Sequence, residues 1–199
     1  MNNKQKKWLI IGGIILFVFF IFSGIKNSYN TMALMDEQVS ANWSQVENVY
    51  QRRADLIPNL VNTVKGYATH EKETLEGVVE ARSKATSTTI DASKLNANSI
   101  QQFQAAQDGL SSALSKLMVV VERYPDLKAN QNFRDLQAQL EGTENRITVE
   151  RRKFNESVKS YNAFIRLFPK NIYANMFGFE KKDYFKAIAG AEKAPEVKF

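Results

Sequence analysis

The sequence predicts an all-α protein. A single N-terminal transmembrane helix leads into an elongated antiparallel bundle of about four helices, which ends in an irregular, aromatic-rich C-terminal tail. Three observations predict this. Residues 8–25 carry no charge and are mostly Ile, Phe, Leu and Val. Beyond them apolar residues return every three or four positions, the period of helices that bury one face. Only Pro58, Pro125, Pro169 and Pro195 interrupt 199 residues, which favours long helices over strands. The chain divides into a polar N-terminus (1–7), the apolar span (8–25), the bundle (26–168) and the tail (169–199).

The span comes first. At a rise of ~1.5 Å per residue, 18 residues of helix cover about 27 Å, close to the hydrocarbon thickness of a bilayer. Trp8 opens it, Phe17 and Phe20 fill its middle, and Ile25 closes it. A cleaved secretory signal would have a shorter apolar core and a small-residue cleavage site, which Ser23-Gly24-Ile25-Lys26-Asn27 matches poorly. An all-round apolar helix introduced by lysines is also unusual in a soluble domain. Gly12-Gly13 leaves room for close helix contact between subunits, although it makes no G-x-x-x-G motif. With no cysteine, lipid attachment through a thiol is excluded.

Lys4, Lys6 and Lys7 precede the span, and Lys26 is the sole cation after it until Arg52. The positive-inside rule then keeps the short N-terminus in the cytoplasm and puts the helical domain outside, in a single-pass membrane protein. The same lysines explain the net charge of +6. Residues 1–26 hold four lysines and no acid, leaving 23 cations against 21 acids elsewhere. The excess is an orientation signal beside lipid, and no nucleic-acid face is expected.

The first bundle helix follows Met35, Val39, Trp43, Val46, Tyr50, Ile57, Leu60 and Val64. Pro58 lacks an N–H and should kink it, or restart it from an Asp55 cap, yet the seam keeps its phase. After Gly66 and His70 a second helix carries Leu75, Val78, Val79 and Arg82. Residues 83–99, rich in Ser, Thr, Ala and Asn, read as an exposed loop. The third helix starts near Ile100 and places Phe103, Ala106, Leu110, Leu114, Leu117 and Val121 in phase until Pro125 stops it. A short corner leads to the longest helix, with Phe133, Leu136, Leu140, Thr143, Ile147, Glu150, Phe154, Ser157, Tyr161, Phe164 and Phe168, ended by Pro169. The tail then interleaves Tyr173, Phe177, Phe179, Tyr184, Phe185 and Phe199 with lysines and shows no seam. Docking onto the bundle hides these rings best, and contact with the bilayer interface is the rival.

Arg53 and Glu150 occupy seam positions that should be apolar. A polar layer is expected in which Arg53 pairs with Glu150 or with a neighbouring acid such as Glu144, fixing register rather than binding a ligand. Gly142, inside the longest helix, is expected to admit a close neighbour. His70 is the only histidine and reads as a helix-corner residue. A helical di-iron centre needs two Glu-x-x-His pairs, and Tyr67 stands where even one would put its Glu. No phosphate-binding glycine loop is present. No catalytic, cofactor-binding or metal-binding residue is expected.

Several stretches together resemble the LemA family of bacterial membrane proteins: Gln51-Arg-Arg-Ala-Asp-Leu-Ile-Pro-Asn-Leu-Val61, Val64-Lys-Gly-Tyr-Ala68, His70-Glu71, Glu122-Arg-Tyr-Pro-Asp-Leu-Lys-Ala-Asn130, Thr143-Glu-Asn-Arg-Ile147, Phe154-Asn155 and Tyr161-Asn162. Phe154 stands where the family usually has tyrosine. The resemblance implies one transmembrane helix, an antiparallel helical bundle and no established catalytic activity. It also brings the opposite orientation, with the short N-terminus outside. The expected function is a non-enzymatic, membrane-anchored helical scaffold that self-assembles at the bacterial cell envelope, in contact with lipid and with copies of itself. The alternative is an adaptor or sensor recruiting another envelope protein, such as a membrane protease or signalling partner. A hydrolase built on Glu and Arg would need a deep polar pocket around Arg53.

Overall fold

The computed structural model describes residues 2–92 and 95–186. Among them are six helices and no strand: α1 (Asn3–Lys65), α2 (Lys72–Ser87), α3 (Ala97–Val121), α4 (Pro125–Ala129), α5 (Gln131–Arg166) and α6 (Lys170–Phe177). Phe199, counted above with the tail's rings, lies outside the described residues. The chain forms two compact units. One takes residues through Val39 with Ser157–Lys181, and the other takes Ser40–Glu156 with the chain from Lys182 onward.

In the first unit the apolar span and the start of the bundle seam are one uninterrupted helix. No proline falls between Ile25 and Met32, and the Thr31 hydroxyl donates to the Asn27 carbonyl at 2.8 Å, a local bond a helix absorbs. Met32 and Val39 of α1, Val158, Tyr161 and Ile165 of α5, and Ala174 of α6 are buried. Phe168, expected in the seam, is 82% exposed. The buried line on α5 runs Phe154, Val158, Tyr161, Ile165, and the helix ends at Arg166 before the next position in phase. The tail begins with order that its composition hid. Residues 170–177 are helical, and Gly178, at φ 75°, takes the left-handed conformation that ends the helix.

The second unit holds a core of Ile57, Leu60 and Val64 from α1, Leu75 and Val78 from α2, Leu110 and Leu117 from α3, Leu127 of α4, and Phe133 and Leu140 of α5. Each such side chain contributes about 1.5–3 kcal/mol when withdrawn from water. Pro58 neither breaks nor restarts α1; it sits on the exposed face, and the Ala54 carbonyl that loses its N–H partner accepts instead from Arg82 Nε at 2.7 Å. The loop expected from residue 83 starts later, because α2 continues to Ser87. The hydroxyls of Thr86, Ser87 and Thr88 donate back to carbonyls of residues 82–84, and buried Ala85 anchors the last turn. Asn96 then caps α3, its side chain accepting from the Ser99 N–H while Ser99 answers to the Asn96 N–H. Asn130 caps α5 by accepting from the Phe133 N–H at 3.0 Å.

Gly142 corrects another expectation. A Cβ there would meet nothing within 4 Å, so the glycine accommodates no neighbour. His70 lies exposed at the corner between α1 and α2.

Candidate functional site

The side chains that carry chemistry or contact fall into three places, one in the first unit and two in the second.

In the first unit the apolar run of α1 is open on every side. Trp8 is 73%, Phe17 66% and Phe20 69% exposed, a Cβ at Gly12 or Gly13 would meet nothing within 4 Å, and Ile25 at the end of the run is half-buried. So much exposed apolar surface has no place in water. The helix is long and apolar enough to cross a membrane. Where the run ends, Tyr29 packs edge-on against Phe177 at 5.0 Å and Phe179 at 5.6 Å. Nearby Tyr161 donates from its hydroxyl to the Glu180 carbonyl at 2.9 Å. Burial pushes its phenol well above the usual range, and the charges of Asp36 and Glu180 push the same way.

In the second unit, Arg53 is buried (3% exposed) and bonds across three elements. One terminal nitrogen donates to Glu144 Oε2 and to Ser111 Oγ, each at 3.0 Å; the other donates to Gln107 Oε1 at 2.8 Å and to the Gln107 carbonyl at 3.2 Å. Gln107 in turn donates to the Ala85 carbonyl at 3.1 Å, drawing in α2. Four of the five guanidinium N–H groups are thereby used; Nε has no partner among the described residues. Tyr50 lies under the guanidinium, 5.1 Å from ring centre to Cζ, and burial raises its phenol despite Arg151 and Arg53.

Glu150 is not in this layer; it pairs with Lys153 at 2.8 Å. The reason is axial height. The Asn130 side chain donates to the Tyr67 hydroxyl at 2.9 Å, tying the end of α1 to the start of α5. Counted from the helix ends beside that tie, Arg53 lies 12 residues back from Lys65 and Glu144 lies 13 residues on from Gln131, whereas Glu150 is six residues, about 9 Å, farther on. The cavity beside Gln107, walled also by Glu47, Tyr50 and Phe103, measures about 60 Å³.

The third place is a clasp for the chain beyond α6. Phe185 is buried, stacked on Trp43 at 5.6 Å with edges of Phe154 and Phe103 around it. Its backbone is held from both sides by Asn155, whose Oδ1 accepts from the Phe185 N–H at 3.0 Å and whose Nδ2 donates to the Phe185 carbonyl at 3.1 Å. Arg151 caps the ring at 4.6 Å and donates to the Lys186 carbonyl at 3.1 Å. Glu47 lies on α1 one turn from Trp43. Burial raises its carboxyl, more than the indole of Trp43 and the backbone N–H of Ile90 lower it.

Sequence reasoning missed Gln107, Ser111 and Asn155. Gln107 follows the in-phase Ala106, so a glutamine at the edge of the α3 seam was the available signal; Asn155 stood in one of the family-like stretches, but nothing in the sequence pointed to its hold on the Phe185 backbone. Among the described residues no group of three or more His, Cys, Asp or Glu could hold a metal ion. What the arrangement offers is an exposed apolar helix, long enough to cross a membrane, in one unit and filled, cross-linked packing in the other. These features define a membrane-associated, all-helical protein.

Residues 42–199 match the LemA family, and the chain belongs to it. It is 28% identical over 179 residues to magnetosome proteins MamQ 1 and MamQ 2 of Paramagnetospirillum magneticum, covering 79% of this chain and 64% of each relative. It thus spans just under two thirds of the length of those relatives. Protein LemA of Metamycoplasma hominis is 25% identical over 170 residues, covering 85% of this chain and 72% of its own.

Proposed function

We propose that the protein is a single-pass, membrane-anchored helical scaffold without enzymatic activity, with residues 8–25 in the bilayer and the helical domain outside the cytoplasm. In this reading α1, α2, α3 and α5 make an antiparallel four-helix bundle in the second unit, keyed at mid-height by Arg53. The observation that carries the reading is α1 itself: a bare apolar run continues without a break into a helix that buries one face, from Met32 to Val64. Lys6 and Lys7 ahead of that run, against Lys26 behind it, support the orientation.

Self-assembly is supported by apolar residues on the outer faces of helices whose inner faces are already filled. Val79 of α2 and Val119 of α3 are 52% and 71% exposed. Anchors confined to one membrane gain effective concentration, so weak lateral contacts between such faces suffice. Light scattering of the full-length protein in mild detergent tests this. A defined multimer is expected, and a monomer at all concentrations would end the scaffold reading.

An adaptor role is the second reading, supported by an open groove of about 400 Å³ between the first half of α3 and residues 183–186, lined by Ile100, Gln104, Asp108, Tyr184 and Lys186. In-cell crosslinking from Gln104 separates the two. Capture of a second copy favours the scaffold, and capture of one defined foreign protein favours the adaptor.

A further inference from the structure

The face of α6 that points away from its own unit calls for an occupant. Ile172 and Met176 are one turn apart on a single side of α6, and Phe168 sits in the turn just before the helix. All are exposed, at 82% for Phe168, 53% for Ile172 and 60% for Met176. The opposite side of the helix is the packed one, where Ala174 is 2% exposed and the Lys170 ammonium sits 3.7 Å over the Phe164 ring.

The location of this helix says what covers its exposed side. Phe177, its last residue, and Phe179 just beyond both pack on Tyr29. Tyr29 is four residues past Ile25, about 6 Å along α1 from the end of the apolar run. If that run crosses the hydrocarbon, Tyr29 lies at the headgroup level, where tyrosine is favoured, and it pins α6 there too. The composition suits the place. Residues 166–182 carry Arg166, Lys170, Lys181 and Lys182 against Glu180 alone, a charge that anionic headgroups attract.

We infer that α6 is an interfacial helix, a second membrane contact that lies in the headgroup region where the α1 span emerges and sets Ile172 and Met176 into lipid. A short amphipathic helix with aromatic and aliphatic residues on one side and cations around it binds bilayers in this way, entering the boundary between headgroups and acyl chains. The inference rests on the anchor reading. It adds that the protein grips the surface beside its span, which restricts how the helices above can tilt.

The chain has no cysteine, so single cysteines report cleanly. Full-length protein bearing Ile172→Cys or Met176→Cys, labelled with an environment-sensitive dye, is reconstituted in phosphatidylcholine–phosphatidylglycerol vesicles containing nitroxide lipids. Phe17→Cys serves as the deep reference and Lys116→Cys as the solvent reference. At 172 and 176 the emission is expected to shift to the blue and to be quenched about twofold more by a shallow nitroxide than by a deep one. Water-like emission at both positions would overturn the inference. So would blue-shifted emission that neither nitroxide quenches, since that places a protein, a second copy included, on this side of α6. If Phe17→Cys also escapes the deep nitroxide, the anchor reading itself has failed, and the inference goes with it.

Discussion

Arg53 is a charge that the second unit surrounds with neutral acceptors and one carboxylate. The carboxylate of Glu144 is 58% exposed, so water screens that half of the pair and the ion pair itself contributes little. Gln107 and Ser111 matter more, because they accept three of the four hydrogen bonds that the buried guanidinium makes. Glu144→Ala should therefore cost about 1 kcal/mol or less. Arg53→Ala, which opens a cavity and orphans Gln107, should cost about 2–4 kcal/mol in urea unfolding of the detergent-solubilised protein. Equal costs would show that the ion pair, not the buried network, is what counts. Glu47 gives a pH signature. Its folded-state carboxyl titrates above the ordinary 4.5 because of burial, so the folded state carries a penalty at neutral pH that disappears as pH falls below the unfolded value. Glu47→Gln should raise the melting temperature at pH 7, and the gain should fade toward pH 4. A gain independent of pH would assign the effect to something other than charge.

At the scale of elements, the clasp around Phe185 and the run of α5 make separable predictions. Phe185→Ala removes a ring packed by three others and should cost about 3–5 kcal/mol, with loss of near-ultraviolet dichroism from Trp43. Tyr184→Ala, at a more exposed position, should cost far less, and equal losses would contradict the clasp. Gly142→Ala adds a methyl to open space inside a helix and should stabilise by about 1 kcal/mol in the same unfolding assay. Destabilisation would mean that another molecule occupies that space.

The helices were legible in the sequence because apolar spacing reports burial directly: Val39, Trp43, Val46, Ile57, Leu60 and Val64 all lie inside. Their ends were less legible. Ser, Thr and Ala from 83 to 87 suit a loop by composition, yet packing of Ala85 and hydroxyl bonds to the preceding turn keep them helical. Residues 170–177 are too short to display a period. The partners of Arg53 depended on heights along helices of different start, which no spacing within one helix reveals.

The molecule as a whole carries a bare apolar run, a packed helical unit and an exposed apolar side of α6 in one chain of the LemA family. The central claim is that residues 8–25 cross the bilayer, so that the N-terminus and the helical domain stand on opposite sides. The absence of cysteine makes the decisive measurement simple: labelling of Asn2→Cys and Lys116→Cys, each in the full-length chain, by a membrane-impermeant maleimide in intact cells and after permeabilisation. The account predicts that Lys116→Cys reacts in intact cells and Asn2→Cys only once the membrane is opened. The reverse pattern would turn the protein over while keeping its span, and reaction of both positions from the same side would contradict the claim.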